Sequence, residues 1–140
     1  MPRTILLPVD LSDERSWRRP LAEALALLDG GTLHVVSVLP DFGLAQVGAF
    51  FREGFERDAL HALGETLTAW TNANVPADVT VKPHVLHGSI YDEILRAADK
   101  TGADLIVIGA HRPELRDYLL GPNAARVVRH ARQSVYVVRD

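Results

Sequence analysis

The chain has 140 residues, 47% of them hydrophobic and 24% charged, with a net charge of -3 and no cysteine. That length suits one domain spanning 1–140, which buries roughly two thirds of the surface its unfolded form exposes without help from a disulfide, metal or partner. The slight acidity gives no electrostatic footprint for DNA or RNA, and the missing thiols exclude disulfides, thiol chemistry and thiolate metal sites. The apolar run in MPRTILLPVD is too short for a signal peptide or a membrane span. Together with the absence of cysteine it points to a cytoplasmic protein with no membrane insertion.

Thr4 to Val9 reads as a short strand with apolar residues on both faces, as a central parallel strand requires, and Asp10 ends it. From about Ser16, Trp17, Leu21, Leu25 and Leu28 recur at helical spacing until Asp29-Gly30-Gly31. Pro20 has no amide hydrogen, so the regular helix starts late or its first turn is distorted. A second strand, Thr32 to Leu39, ends at Pro40. Residues 40–54, PDFGLAQVGAFFREG, are the least regular stretch and read as a surface loop with phenylalanines folded onto the core, in preference to a lid or a partner-binding patch.

Helical spacing resumes at Leu60, Leu63, Leu67 and Trp70 and is closed before Pro76, and a third strand covers Val79 to Leu86. Gly88-Ser89 opens the next helix, with Ser89 at the N-cap, Asp92 and Glu93 in the first turn, and Ile90, Ile94 and Ala97 or Ala98 facing inward. The strand Asp104 to Ile108 stops at Gly109, a polar loop follows, and a last helix begins at Gly121-Pro122-Asn123. That helix turns Ala124, Val127, Val128 and Ala131 inward and Arg126 and Arg129 to water, and the strand Ser134 to Arg139 closes the chain. Strands alternating with helices call for a doubly wound, five-stranded parallel sheet with helices on both faces. Ligands of such sheets bind at the carboxyl ends of strands where the winding reverses, so adjacent first and fourth strands would put Asp10 and Gly109 on one crevice.

The G-x-x-x-x-G-K-S/T phosphate loop, the G-x-G-x-x-G dinucleotide fingerprint and the G-x-S-x-G nucleophile elbow are all missing. A zinc site is disfavoured: His84 and His87, three apart on a strand, fall on opposite faces, and His111 and His130 have no ligand partner at a suitable spacing. What remains is a phosphate cradle in outline. Ile108 and Gly109 end a strand, and Gly121, Pro122, Asn123 and Ala124 begin a helix whose first amides lack internal partners at the positive end of its dipole. The arginines 126, 129 and 132 form a strip that reads as a solvated helix face rather than a docking surface.

Taken in order, ILLPVDLSD, LHVVSVLP, HGSIYDEILRAADKTGADLIVIGAH and GPNAARVVRHARQSVYVV resemble the universal stress protein family over essentially the whole chain. The resemblance implies a Rossmann-like fold of the adenine nucleotide alpha hydrolase type. It also implies a homodimer formed through the last strand (Val135, Tyr136, Val137) and binding of ATP or AMP, with or without Mg. Carried onto this sequence, it puts Pro8, Val9 and Val38 beside adenine, and has Asp10 accepting from adenine or ribose. Ile108 and Gly109 would lie beside ribose or phosphate, with His111 and Arg112 in reach of phosphates and Gly121 to Ala124 beneath them.

The family's nucleotide pattern, G-x-x-G-x9-G-S/T, is altered here. Arg112 replaces the second glycine, eight residues (113–120) stand in place of nine, and Pro122 replaces serine or threonine. HRPELRDYLLGPNAARVVRHA and PDFGLAQVGAFF resemble a bacterial subgroup with a glycine loop remodelled in this way, some of whose relatives still bind adenine nucleotides. Pro122 removes one amide and one hydroxyl, each worth about 1 kcal/mol as a neutral hydrogen bond and roughly 1.5–3 kcal/mol to a charged group. Proline is nonetheless well suited to the first helical position, and Arg112 can supply a charge-assisted contact. The leading expectation is a nucleotide-binding stress-response regulator or signalling module. The alternative is a dimeric interaction module of the same family that binds no nucleotide. An ATP-hydrolysing or phosphotransfer enzyme is a third and weaker reading, since no nucleophile, base and oxyanion donor can be assembled.

Overall fold

The computed structural model describes residues 3–40, 53–110 and 121–139. Five parallel strands, β1 (Thr4–Pro8), β2 (Thr32–Pro40), β3 (Thr80–Gly88), β4 (Leu105–Gly109) and β5 (Ser134–Val138), form one sheet in the order β3-β2-β1-β4-β5. Helices α1 (Arg18–Leu27), α2 (Glu53–Asn74), α3 (Ile90–Thr101) and α4 (Pro122–His130) connect them. The expected doubly wound α/β architecture is therefore present. Winding proceeds outward from β1 through β2 to β3, then returns to the other side of β1 at β4, which makes β1/β4 the point of reversal.

Alternation along the strands builds two cores. Ile5, Leu7, Leu33, Val35 and Val107 pack with Leu21 and Ala24 of α1 and Leu67 and Trp70 of α2 on one face. Leu6, Val36, Ile106 and Ile108 pack with Ile94, Ala97 and Ala98 of α3 and Ala124 and Val127 of α4 on the other. Because β1 is covered on both sides, every residue from Ile5 to Leu7 is fully buried, which is why the run ILL has no polar alternate.

Local chemistry sets the element boundaries. A 3-10 turn at Glu14–Ser16 precedes α1, and Pro20 falls in the first turn of the helix, where an amide hydrogen has no intrahelical partner to lose. Asp29 and Gly30, both at positive φ, then reverse the chain into β2. Ser89 occupies the N-cap of α3, although its side chain makes no capping bond, and Gly102 closes the helix at φ 69°.

Two expectations need correction. Glu53 and Gly54 belong to α2 rather than to the preceding irregular stretch, whose residues 41–52 lie outside the described ones. Val128 is 43% exposed rather than inward. The nine-residue α4 buries a narrow stripe centred on Ala124 and Val127, and Val128 lies about 100° further round the helix, outside that stripe.

Candidate functional site

The reversal of winding opens a cleft of about 550 Å³ at the carboxyl ends of β1, β2 and β4, within the size range of small-molecule pockets. Its floor and apolar wall come from Pro8 and Val9, from Val36 and Val38, and from Ile108 and Gly109. Ile90 and Ile94 of α3 close one side, and Gly121, Pro122, Asn123 and Ala124 at the start of α4 close another. Asp10, Ser12, Asp13 and Ser16 form a polar rim on the segment between β1 and α1.

Asp10 is held from several directions. Its Oδ1 accepts from the Ser12 amide at 3.0 Å and from the Ser12 hydroxyl at 2.6 Å. Its own amide donates to Ser16 Oγ at 3.0 Å, while the Ser16 hydroxyl donates to the Asp10 carbonyl at 3.0 Å. The amide of Asp13 also donates to that carbonyl. These contacts fold the segment Asp10–Ser16 into a turn that presents a fixed carboxylate at the mouth of the cleft.

Gly109 has a structural reason of its own. A Cβ at this position would stand 2.8 Å from the carbonyl oxygen of Ser16 and 3.2 Å from Cγ of Pro20. The glycine lets the Asp13–Ser16 turn lie directly against the end of β4, so the rim and the floor of the cleft are joined there. At the opposite wall, Gly121 is the N-cap of α4 and Pro122 its first residue. The proline gives up an amide that had no helical partner, and the amides of Asn123 and Ala124 remain as N-terminal donors.

The structure thus brings Pro8, Val9, Asp10, Val38, Ile108, Gly109 and Gly121 to Ala124 around one cavity. His111 and Arg112 lie outside the described residues. Ser12, Asp13, Ser16 and Ser37 also line the cleft and escape a reading of the sequence, because serine and aspartate after a strand look like ordinary turn residues. Ile90 and Ile94 carry the helical spacing of core residues, and only the tertiary arrangement shows that part of their surface faces a cavity. Among the described residues no three His, Asp or Glu side chains converge as a metal site would require.

The sequence profile of the Universal stress protein family matches residues 1–139. The chain belongs to the universal stress protein family. It is 34% identical to Universal stress protein G of Escherichia coli O157:H7 over 142 residues, covering 99% of this chain and 100% of the relative. Its fold is shared with the universal stress protein UspA from Lactobacillus plantarum (TM-score 0.74, 22% identity, 98% of this chain and 97% of the other). It is also similar to the universal stress protein from Archaeoglobus fulgidus in complex with dAMP (TM-score 0.60, 25% identity, 98% and 96%).

This universal stress protein carries a second polar feature that the sequence does not announce. His34 of β2, only 8% exposed, places Nδ1 2.9 Å from Nε2 of His84 on β3, with the rings stacked at 5.2 Å. Burial, with the neighbouring cation Lys82, lowers the pKa of both imidazoles. A folded-state pKa below the ordinary value gives stability that is present above about pH 6.5 and lost as pH falls. Unfolding followed at pH 7.5 and at pH 5 should show a drop that the double variant His34→Gln/His84→Gln reduces, whereas an equal drop in both proteins would remove the pair as its source.

Proposed function

We propose that this universal stress protein binds an adenine nucleotide, ATP or AMP, in the β1/β4 cleft and acts in the cytoplasm as a stress-response regulator or signalling module. The observation that carries the reading is the convergence, around one cavity, of a fixed carboxylate at Asp10, apolar strand ends and the start of α4. In this reading Val9 and Val38 pack against the base, Asp10 accepts from base or ribose, and the amides of Asn123 and Ala124 take phosphate with the helix dipole behind them. The Archaeoglobus fulgidus relative holding dAMP supports the ligand class.

The same reading includes a homodimer formed along β5. Among the described residues that strand pairs only with β4, and its Tyr136 is 37% exposed. The other edge, β3, carries Lys82 and Pro83, residues that discourage strand addition, while Ser134–Val138 has neither lysine nor proline.

Thermal unfolding with and without nucleotide tests the proposal. A ligand at about 100 times its dissociation constant adds roughly 2.7 kcal/mol, which for a chain of this size raises the Tm by about 8 °C. ATP or AMP should produce such a rise in protein that sediments as a dimer. No shift with either nucleotide, in protein confirmed free of bound nucleotide, would overturn the ligand, and a monomer at micromolar concentration would remove the β5 pairing.

A further inference from the structure

In a parallel sheet the backbone groups of successive residues point alternately to the two sides of their strand. The Val138 carbonyl accepts from the Ala110 amide at 3.0 Å, at the end of the β4 ladder, so Ser134, Tyr136 and Val138 turn their amides and carbonyls towards β4. The amides and carbonyls of Val135 and Val137 therefore point outward, along the edge of the sheet. Side chains alternate as well. Tyr136, 37% exposed, stands on the α1 side, where Glu23 of α1 accepts from its hydroxyl and Arg19 lies nearby. Val135 and Val137 are half-buried on the opposite side, against the core that α3 and α4 cover.

This edge is complementary to itself in one register. Antiparallel strands bond where outward groups of one face outward groups of the other. A two-fold axis through Tyr136 opposes each Val135 to the Val137 of a second copy, so that two pairs exchange two hydrogen bonds apiece and all five strand residues find a counterpart. A slip of one residue sets outward groups against inward ones and loses the bonds. A slip of two moves the axis to Val135 or Val137 and leaves two residues of each strand unopposed. Ser134–Val138 carries no charge to repel its copy, and the axis at Tyr136 places an acid and a base from each copy, Glu23 and Arg19, on one side of the joined sheet.

We infer that a second copy of this chain docks on β5 in that register, with Tyr136 meeting its counterpart at the two-fold axis; the inference rests on the homodimer proposed above. The two Tyr136 residues then form a non-hydrogen-bonded pair with Cα atoms about 4.5 Å apart, within the span of a disulfide. The chain has no cysteine, so single cysteines read the register directly. In full-length protein oxidised with diamide, Tyr136→Cys should form a disulfide-linked dimer at least tenfold faster than Val135→Cys or Val137→Cys, whose own counterparts lie diagonally at roughly 7–8 Å. An equimolar mixture of Val135→Cys and Val137→Cys, unfolded and refolded together, should cross-link at least threefold faster than either alone, and this readout does not need the Tyr136 variant to fold. Fastest self-linking at position 135 or 137, or a mixture no faster than its components, in protein that sediments as a dimer, would overturn the register while leaving the homodimer intact. A monomer would remove the underlying reading with it.

Discussion

Gly31→Ala should cost about 3–5 kcal/mol of folding stability, a large part of what a domain of this size has in total. A Cβ at Gly31 would lie 1.8 Å from the carbonyl oxygen of Arg3 and 2.5 Å from its amide nitrogen, and backbone atoms of that kind cannot swing aside. Relief requires moving the lead into β1 away from the turn before β2. That movement strains two hydrogen bonds, from the Arg3 amide to the Leu28 carbonyl and from the Thr32 amide to the Arg3 carbonyl. Each is worth about 1 kcal/mol net, and the overpacking adds roughly 1–3 kcal/mol. Gly30 is the control. It sits at φ 78° with open space around a built Cβ, so Gly30→Ala costs only about 1 kcal/mol of left-handed strain. Denaturant midpoints of the two variants decide the matter, and equal losses would show that the close approach at Gly31 relaxes freely.

Gly109→Ala should lower stability by about 1–3 kcal/mol and also shrink the nucleotide-induced rise in Tm. The new methyl would press on the Ser16 carbonyl at 2.8 Å and on Pro20 at 3.2 Å. Ser16 is the residue whose hydroxyl bonds both the amide and the carbonyl of Asp10, so its displacement moves the carboxylate at the mouth of the cleft. A variant that loses stability and keeps its full response to AMP would separate the packing of this turn from ligand binding. The same pair of measurements on Ser16→Ala, which removes the hydroxyl without a clash, would isolate the contribution of the Asp10 contacts.

The two glycines illustrate what periodicity and local propensity conceal. Asp29-Gly30-Gly31 reads as a helix stop, and Gly30 does serve in that way. Gly31 is required for a different reason, a backbone approach from Arg3 that is 28 residues away in sequence. Gly109 reads as the end of a strand that leaves room for a ligand, yet the atom nearest its missing side chain belongs to the turn before α1. Likewise His34 and His84 stand 50 residues apart, and their contact exists only because β2 and β3 pair in one register. Ser12 and Ser16 become part of a site through hydrogen bonds to Asp10 that no motif encodes.

The sequence by itself determined the order of elements, the burial of β1 on both faces and the two cores. These follow from short-range regularities, a period of 2 in strands and 3.6 in helices, and from proline and glycine at the ends of elements. It also placed Asp10 and Gly109 on one crevice, provided that the first and fourth strands are neighbours, because the reversal of a doubly wound sheet dictates where strand ends diverge, and the family resemblance implied that Gly121–Ala124 joins them. Only the tertiary structure decided which turn residues form the rim and why Gly109 must be glycine. It alone showed that Val128 falls outside the buried stripe of α4 and that, among the described residues lining the cleft, the charged side chains are Asp10 and Asp13. Those features depend on contacts between segments far apart in the chain, at separations of a few ångströms, and local pattern carries no information at that range.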